Sequence, residues 1–274
     1  MHPGTMQSNF AHFCHLLLER SGLVLDEDKH YLVDTRLSHI AEHHGFASVD
    51  ALLSKLQTGP VESLVTECVE ALATHESSFF RDTLPFTQLA NVILPKIIEH
   101  KSISKSLRIW SAACSTGQEP YSIAMTLQEH IDKLQGWHIE IIATDMVAKA
   151  VEQAQSGFYT DFEIGRGLKP EQLHRWFHKT EGGYLIDPSL RRMMHFHTYN
   201  LLAPPTVRGP FDIIFCRNVL IYFNRDKKIE ILKRLGSLLG REGLLILGSA
   251  ETVIGLCDTF EPLDGHHGLF RLKA

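Results

Sequence analysis

The sequence predicts an α/β protein, a doubly wound Rossmann-like sheet preceded by an all-α bundle, and three observations carry that expectation. Residues 107–110 are a short apolar run with a β-branched centre, and Ser111, Ala112 and Ala113 then shrink the side chains until a backbone can approach a ligand closely. Thr116 and Gly117 break the chain, Pro120 suits the first turn of a helix, and residues 139–143 form a second buried-strand run ending in Thr144-Asp145, which completes a βαβ unit. Residues 1–72, in contrast, carry helical periodicity with no strand-like alternation.

In chain order, Phe13, Leu16, Leu17 and Arg20 predict a first helix stopped by Ser21-Gly22. Asp26 is placed to cap a second, with Leu32, Leu37 and Ile40 inside and Lys29, Arg36, His39 and His43 outside. Ser48 is placed to cap a third containing Leu52, Leu53 and Leu56, and Val61, Leu64, Val65, Cys68, Val69 and Leu72 recur at helical spacing in a fourth. Residues 74–81 form a polar linker ending in Phe79-Phe80-Arg81, after which Leu84, Phe86, Leu89, Val92 and Ile93 restart a helix. Beyond the ligand turn, Ile123, Ala124, Leu127, Ile131 and Leu134 predict one apolar face against a sheet. Val151 and Ala154 belong to a helix that ends at Ser156-Gly157, and Leu173, Trp176 and Phe177 to a short one. Residues 180–186 read as a hairpin about Gly182-Gly183. Strands at 193–196, 211–216 and 244–247 follow, with a helix through Ile229, Leu232, Leu235 and Leu239 ended by Gly240. A closing antiparallel hairpin joins 259–263 to 269–272.

The ligand turn has one glycine, where a dinucleotide fold uses three to seat a pyrophosphate, so a nucleoside without phosphates fits better than NAD. Asp145, at the tip of the second strand, is the candidate acceptor for ribose hydroxyls; the alternative is an ordinary loop Asp. A formal charge of −5 argues against bulk attraction to nucleic acid. No apolar run is long enough to span a membrane, and the start lacks the features of a signal peptide, so a cytoplasmic protein without membrane insertion is expected. Five cysteines with no C-x-x-C read as reduced thiols, with Cys114 a small buried residue rather than a nucleophile. His43-His44, His195-x-His197 and His266-His267 lack the partner spacing of a metal site, and no metal is expected.

Four separated stretches, THESSFFRD at 74–82, SAACSTGQEPYSIAMTL at 111–127, NLL at 200–202 and FCRNVLIYF at 215–223, together resemble the CheR family of chemoreceptor glutamate O-methyltransferases. The resemblance implies a class I methyltransferase sheet that uses S-adenosylmethionine and releases S-adenosylhomocysteine. It implies an N-terminal receptor-docking domain over residues 1–72, a strap over 73–83, and a methyltransferase domain over 84–274 with an inserted β-subdomain at about 157–192. It assigns His75, Ser77, Arg81, Glu119, Asp145, Asn200, Leu201, Arg217 and Asn218 to the cofactor, and Arg81 and Tyr222 to the reacting carboxylate and the methyl path. His75 and Ser77 stand where relatives often carry Asn and Thr, so their backbone contacts are the ones expected to persist. For Arg217 the alternative is a salt bridge to Asp212 or Glu251. The implied partners are chemoreceptor methylation helices and a signalling regulator. Some members of the family grip a receptor's C-terminal tether by strand addition, but the hairpin here is short and methylation without a tether is expected. Arg36 is the expected docking charge on the bundle, with His39 and His43 adding a pH-dependent share. An RNA or DNA methyltransferase is the competing enzyme, but the N/D-P-P-Y loop that cradles a flipped base is absent. A catalytically silent cofactor sensor is the competing binding module, and Arg81 and Tyr222 weigh against it.

Overall fold

The computed structural model describes residues 3–73 and 76–273 and divides into two compact units, Met1–Thr74 with Tyr222–Lys227, and His75–Ile221 with Lys228–Ala274. The first unit holds four helices, α1 Pro3–Ser21, α2 His30–His43, α3 Val49–Thr58 and α4 Glu62–Leu72. Their predicted apolar stripes meet, so that Phe13, Leu17, Leu37, Leu52, Leu56, Val65 and Cys68 are fully buried. Each such large side chain contributes about 1.5–3 kcal/mol of transfer free energy. Ser48 caps α3 by accepting the Ala51 N–H at 3.2 Å. Asp26 does not cap α2: a 3₁₀ turn, Glu27–Lys29, intervenes, and the Asp26 carboxylate pairs with Lys29 Nζ at 2.8 Å. Arg36 is exposed, but its Nη1 donates to the carbonyls of Ala71 and Ala73 at 3.2 and 3.3 Å, satisfying acceptors that the end of α4 leaves open.

The second unit opens with α5 Leu84–Gln88 and α6 Leu94–His100, joined by a π turn at Leu89–Ile93. Pro95 explains the turn: it has no N–H for the carbonyl four residues earlier, and its ring pushes that carbonyl away. The chain then runs β1 Ser106–Ala112, α7 Gln118–Gln128, β2 His138–Asp145, α8 Ala148–Ser156, β3 Phe158–Tyr159, α9 Asp161–Ile164 and α10 Pro170–Trp176. It continues β4 Phe177–Thr180, β5 Gly183–Ile186, α11 Pro188–Arg191, β6 Met194–Thr198, β7 Phe211–Cys216, α12 Arg225–Leu238, β8 Leu239–Leu247, β9 Phe260–Pro262 and β10 Leu269–Leu272.

The large sheet has the order β6-β2-β1-β7-β8-β10-β9, parallel from β6 to β8, with β10 antiparallel to both its neighbours. This is the class I methyltransferase arrangement, and its order reverses between β1 and β7. A ligand crevice forms at such a switch point, outside the carboxyl ends of the strands. The loops after β1, β2 and β7 are therefore the ones that matter. β3, β5 and β4 form a separate three-stranded sheet.

Two further expectations need correction. α7 ends at Gln128, and Ile131 lies in a separate 3₁₀ turn with 39% of its surface exposed, so it does not continue the helix face. α7 is buried on nearly all sides, from Pro120 through Leu127, including Ser122 and Thr126, which return their hydroxyls to carbonyls one turn back. Gly240 does not end α12, because β8 has already begun at Leu239. The five cysteines are free, and no described helix is long and apolar enough to cross a membrane.

Candidate active site

The turn after β1 alternates into the left-handed region at Ala113 (φ 60°), Ser115 (φ 51°) and Gly117 (φ 94°). Two of these residues carry a side chain, so the turn is strained and must be held by its surroundings. Cys114 N–H donates to Thr144 O at 2.8 Å, and Ser115 N–H donates to the Asp145 carboxylate at 2.8 Å. The other Asp145 oxygen accepts the Val147 N–H at 3.0 Å. Asp145 thus ties the turn to β2, and each of its oxygens keeps acceptor capacity beyond these bonds. Gly117 has no room for a side chain, since a Cβ would stand 2.8 Å from Ala154 Cβ and 2.9 Å from Tyr159 Oη. That tyrosine hydroxyl donates to Thr116 O at 2.8 Å.

Arg217, at the carboxyl end of β7, lies across the switch point with a side chain only 1% exposed. Its Nη1 donates to Glu119 at 2.9 Å, and its Nη2 to the Arg81 carbonyl and the Asp82 carboxylate, both at 2.8 Å. The second Glu119 oxygen accepts Ser111 Oγ at 2.8 Å. Burial pushes the Glu119 carboxyl above its usual range, with Arg217 and Ser111 pulling it back. Neither alternative partner of Arg217 is used: Asp212 pairs with Lys101 at 2.7 Å, and Glu251 accepts backbone N–H groups. Among the described residues, the buried Arg217 Nε and Ser115 Oγ have no hydrogen-bond partner.

The strap is likewise strained, with Phe80 (φ 50°), Asp82 (φ 68°) and Thr83 (φ 47°) left-handed. Phe79 anchors it, fully buried with its ring 5.0 Å from Tyr159 and 5.4 Å from Phe177. Phe80 N–H donates to Ser122 Oγ at 2.9 Å. Gly167 backs the strap so closely that a Cβ there would meet Phe79 O at 1.8 Å. Arg81 is half-buried and donates from Nη1 to Glu76 O at 2.7 Å. Ser77 is half-buried nearby in sequence, while His75 lies outside the described residues.

Asn200 Oδ1 accepts the Leu202 N–H at 2.9 Å, and buried Leu201 gives its carbonyl to Arg234. Asn218 is half-buried in a left-handed conformation at φ 56°. Tyr222 ends a 3₁₀ turn and falls in the first unit, its carbonyl accepting the Val24 N–H at 3.4 Å. Arg81, Glu119 and Arg217 are therefore joined in one network, with Asp145 on the neighbouring turn. Sequence reasoning missed Asp82, Ser122 and Gly167; an acid beside the key arginine and a hydroxyl inside an apolar helix were the available signals. Among the described residues, no group of three or more His, Cys, Asp or Glu side chains is gathered for a metal.

Residues 75–269 match the family model described as CheR methyltransferase, SAM binding domain, and residues 8–73 match CheR methyltransferase, all-alpha domain. The chain is 38% identical over 268 residues to chemotaxis protein methyltransferase 1 of Vibrio cholerae, covering 96% of each chain. It is 38% identical over 274 residues to chemotaxis protein methyltransferase 1 of Pseudomonas aeruginosa, covering 97% of this chain and 98% of that one. With the chemotaxis protein methyltransferase of Escherichia coli it shares 36% identity over 250 residues, 89% of this chain and 84% of that one.

Proposed function

This chain belongs to the CheR methyltransferase family, with an S-adenosylmethionine-binding domain behind an all-α domain, and on that premise we propose that it methylates glutamate side chains on the cytoplasmic helices of chemoreceptors. The residues present suit the cofactor. Small side chains line the turn, Asp145 retains acceptor capacity at the nucleoside end, and Ser115 Oγ and Arg217 Nε are buried donors without a partner.

S-adenosylmethionine, when bound, supplies a methyl group already activated by its sulfonium leaving group. A glutamate side chain has a pKa of about 4.3, so at neutral pH the acceptor is an anion and needs no general base. The acceptor carboxylate would take that methyl as an ester, with the S–CH₃ bonding pair left on sulfur in S-adenosylhomocysteine. The chain must contribute alignment and the removal of water, because water stabilises the separated charges that the reaction neutralises. Arg81 orients the acceptor through its planar fork, one end of which is already anchored on Glu76 O. The resemblance gives Tyr222 the border of the methyl path.

The observation that carries this reading is the Arg217 network. One buried guanidinium grips the helix after the cofactor turn and, through Arg81 O and Asp82, the strap that bears Arg81. A site built only to sense the cofactor has no need to hold a second cation beside it. The test is transfer of labelled methyl from S-adenosylmethionine to a chemoreceptor cytoplasmic fragment, with label released by mild base. No base-labile label, or label on nucleic acid instead, overturns the reading.

Docking is assigned to the first unit, on the face of α2 that carries Arg36, His39 and His43. Arg36→Glu is expected to raise KM for the receptor fragment several-fold with S-adenosylhomocysteine affinity unchanged. Because Arg36 also closes the end of α4, a thermal melt of the variant must accompany the kinetics.

A further inference from the structure

The loops after β7 and β8 contain a buried carboxylate that the reaction as described does not use. Glu251 is 7% exposed, and four backbone N–H groups converge on it. One oxygen accepts Gly248 and Asn218 at 2.8 Å each; the other accepts Val219 at 2.9 Å and Ile221 at 3.3 Å. Three of the four donors belong to the segment that directly follows Arg217. Gly248 makes the approach possible, for a Cβ there would lie 2.7 Å from Glu251 Oε2 and 3.0 Å from Asn218 N. The clamp spans Asn218, which is left-handed, a turn that asparagine tolerates better than other residues with a side chain.

We propose that Glu251, seated by Gly248, is a positioning residue for methyl transfer: it fixes the backbone of Asn218 to Ile221 and so sets the direction in which Arg217 enters the Glu119 and Asp82 network. The inference rests on the methyltransferase reading above and deepens it. Adjacent strands lie about 4.8 Å apart, and β8 stands three strands from β2, so Glu251 is roughly 14 Å along the sheet from the ribose acceptor Asp145. Its loss therefore falls on alignment at the strap more than on cofactor affinity, to which Arg217 and Asn218 contribute only part.

Two variants test this. Glu251→Gln keeps the shape but turns an amide NH₂ toward N–H donors, and Gly248→Ala pushes a methyl group against an unaltered Glu251. Both are expected to lower kcat for the receptor fragment at least tenfold while the Kd for S-adenosylhomocysteine stays within threefold. Ile246→Val, which thins the core of β8 without touching the clamp, serves as the destabilised control and is expected to retain kcat. Should Glu251→Gln fail to fold, Gly248→Ala still gives the reading. Wild-type turnover in the same assay separates the two levels. An inactive wild type overturns the methyltransferase reading and this inference with it. An active wild type with variant kcat within twofold overturns the inference alone, as does an equal loss in kcat and in cofactor affinity.

Discussion

The cofactor turn and the strap are both strained, yet they are held in different ways. The turn's left-handed residues are fixed by neighbours on β2, through Thr144 O and Asp145, and by a glycine for which packing leaves no side-chain space. The strap's are fixed from a distance, by Ser122 on α7 and above all by Arg217, which reaches the strap from more than a hundred residues along the chain. A loop strained against its immediate neighbours is rigid once the sheet has formed. One held across the fold by a hydroxyl and a buried cation is only as secure as those two partners.

The sharpest way to break the contrast is Arg217→Ala. It leaves Glu119 buried without its counter-charge and frees the strap, and the expected loss is about 3–5 kcal/mol in denaturant unfolding. Asp82, whose side chain is 37% exposed, should cost far less when replaced by Ala. Equal losses would mean that the strap, not the buried charge, carries the energy.

Arg81→Ala should lower kcat on the order of 10²-fold, the cost of a misaligned acceptor, while weakening cofactor binding less than turnover. Arg81→Lys should not restore it, since a point charge cannot reproduce the fork. Wild-type rates in the Ala variant would remove Arg81 from the reaction.

Asp145→Ala should weaken S-adenosylhomocysteine binding by about 1.5–3 kcal/mol, the loss of charged hydrogen bonds, as read by calorimetry. Asp145→Asn keeps one carbonyl oxygen and should lose less. Unchanged affinity in both would show that the turn holds itself.

The smallest effect concerns pH. Burial places the Glu119 carboxyl above its unfolded value, so the folded state holds that proton more tightly than the unfolded chain. Its contribution to stability therefore falls as pH rises from the ordinary carboxylate value of about 4.3 through the raised one. Glu119→Gln should flatten the stability profile across that window. A profile identical to wild type would show that Arg217 cancels the cost of burial.

These outcomes bear on what a sequence can reveal. The βαβ unit, the small-residue turn and the place of Asp145 beside it were legible because chain order alone brings these elements together. The partners of Arg217 were not legible. Asp212 and Glu251 are near it in sequence and carry the right charge, whereas Asp82 meets it only because the strap folds over the switch point. α7 misled in another way: reading one apolar face assumes a wet opposite face, and this helix is covered on both, with Ser122 and Thr126 satisfied internally. Asp26 had the chemistry of a cap but lost its place to a 3₁₀ turn and an ion pair.

The hydroxyl of Tyr159 on Thr116 O has a thermodynamic consequence. β3, which carries that tyrosine, belongs to the small sheet, while Thr116 belongs to the cofactor turn, so the two share one buried bond and the tight fit around Gly117. If the turn seats the cofactor as proposed, a molecule that seats on the small sheet and draws β3 away is expected to loosen the turn, and reciprocity then has the cofactor oppose that molecule by the same factor. One that presses β3 inward must be favoured by the cofactor to the same degree. On that reading the small sheet is a handle on cofactor affinity.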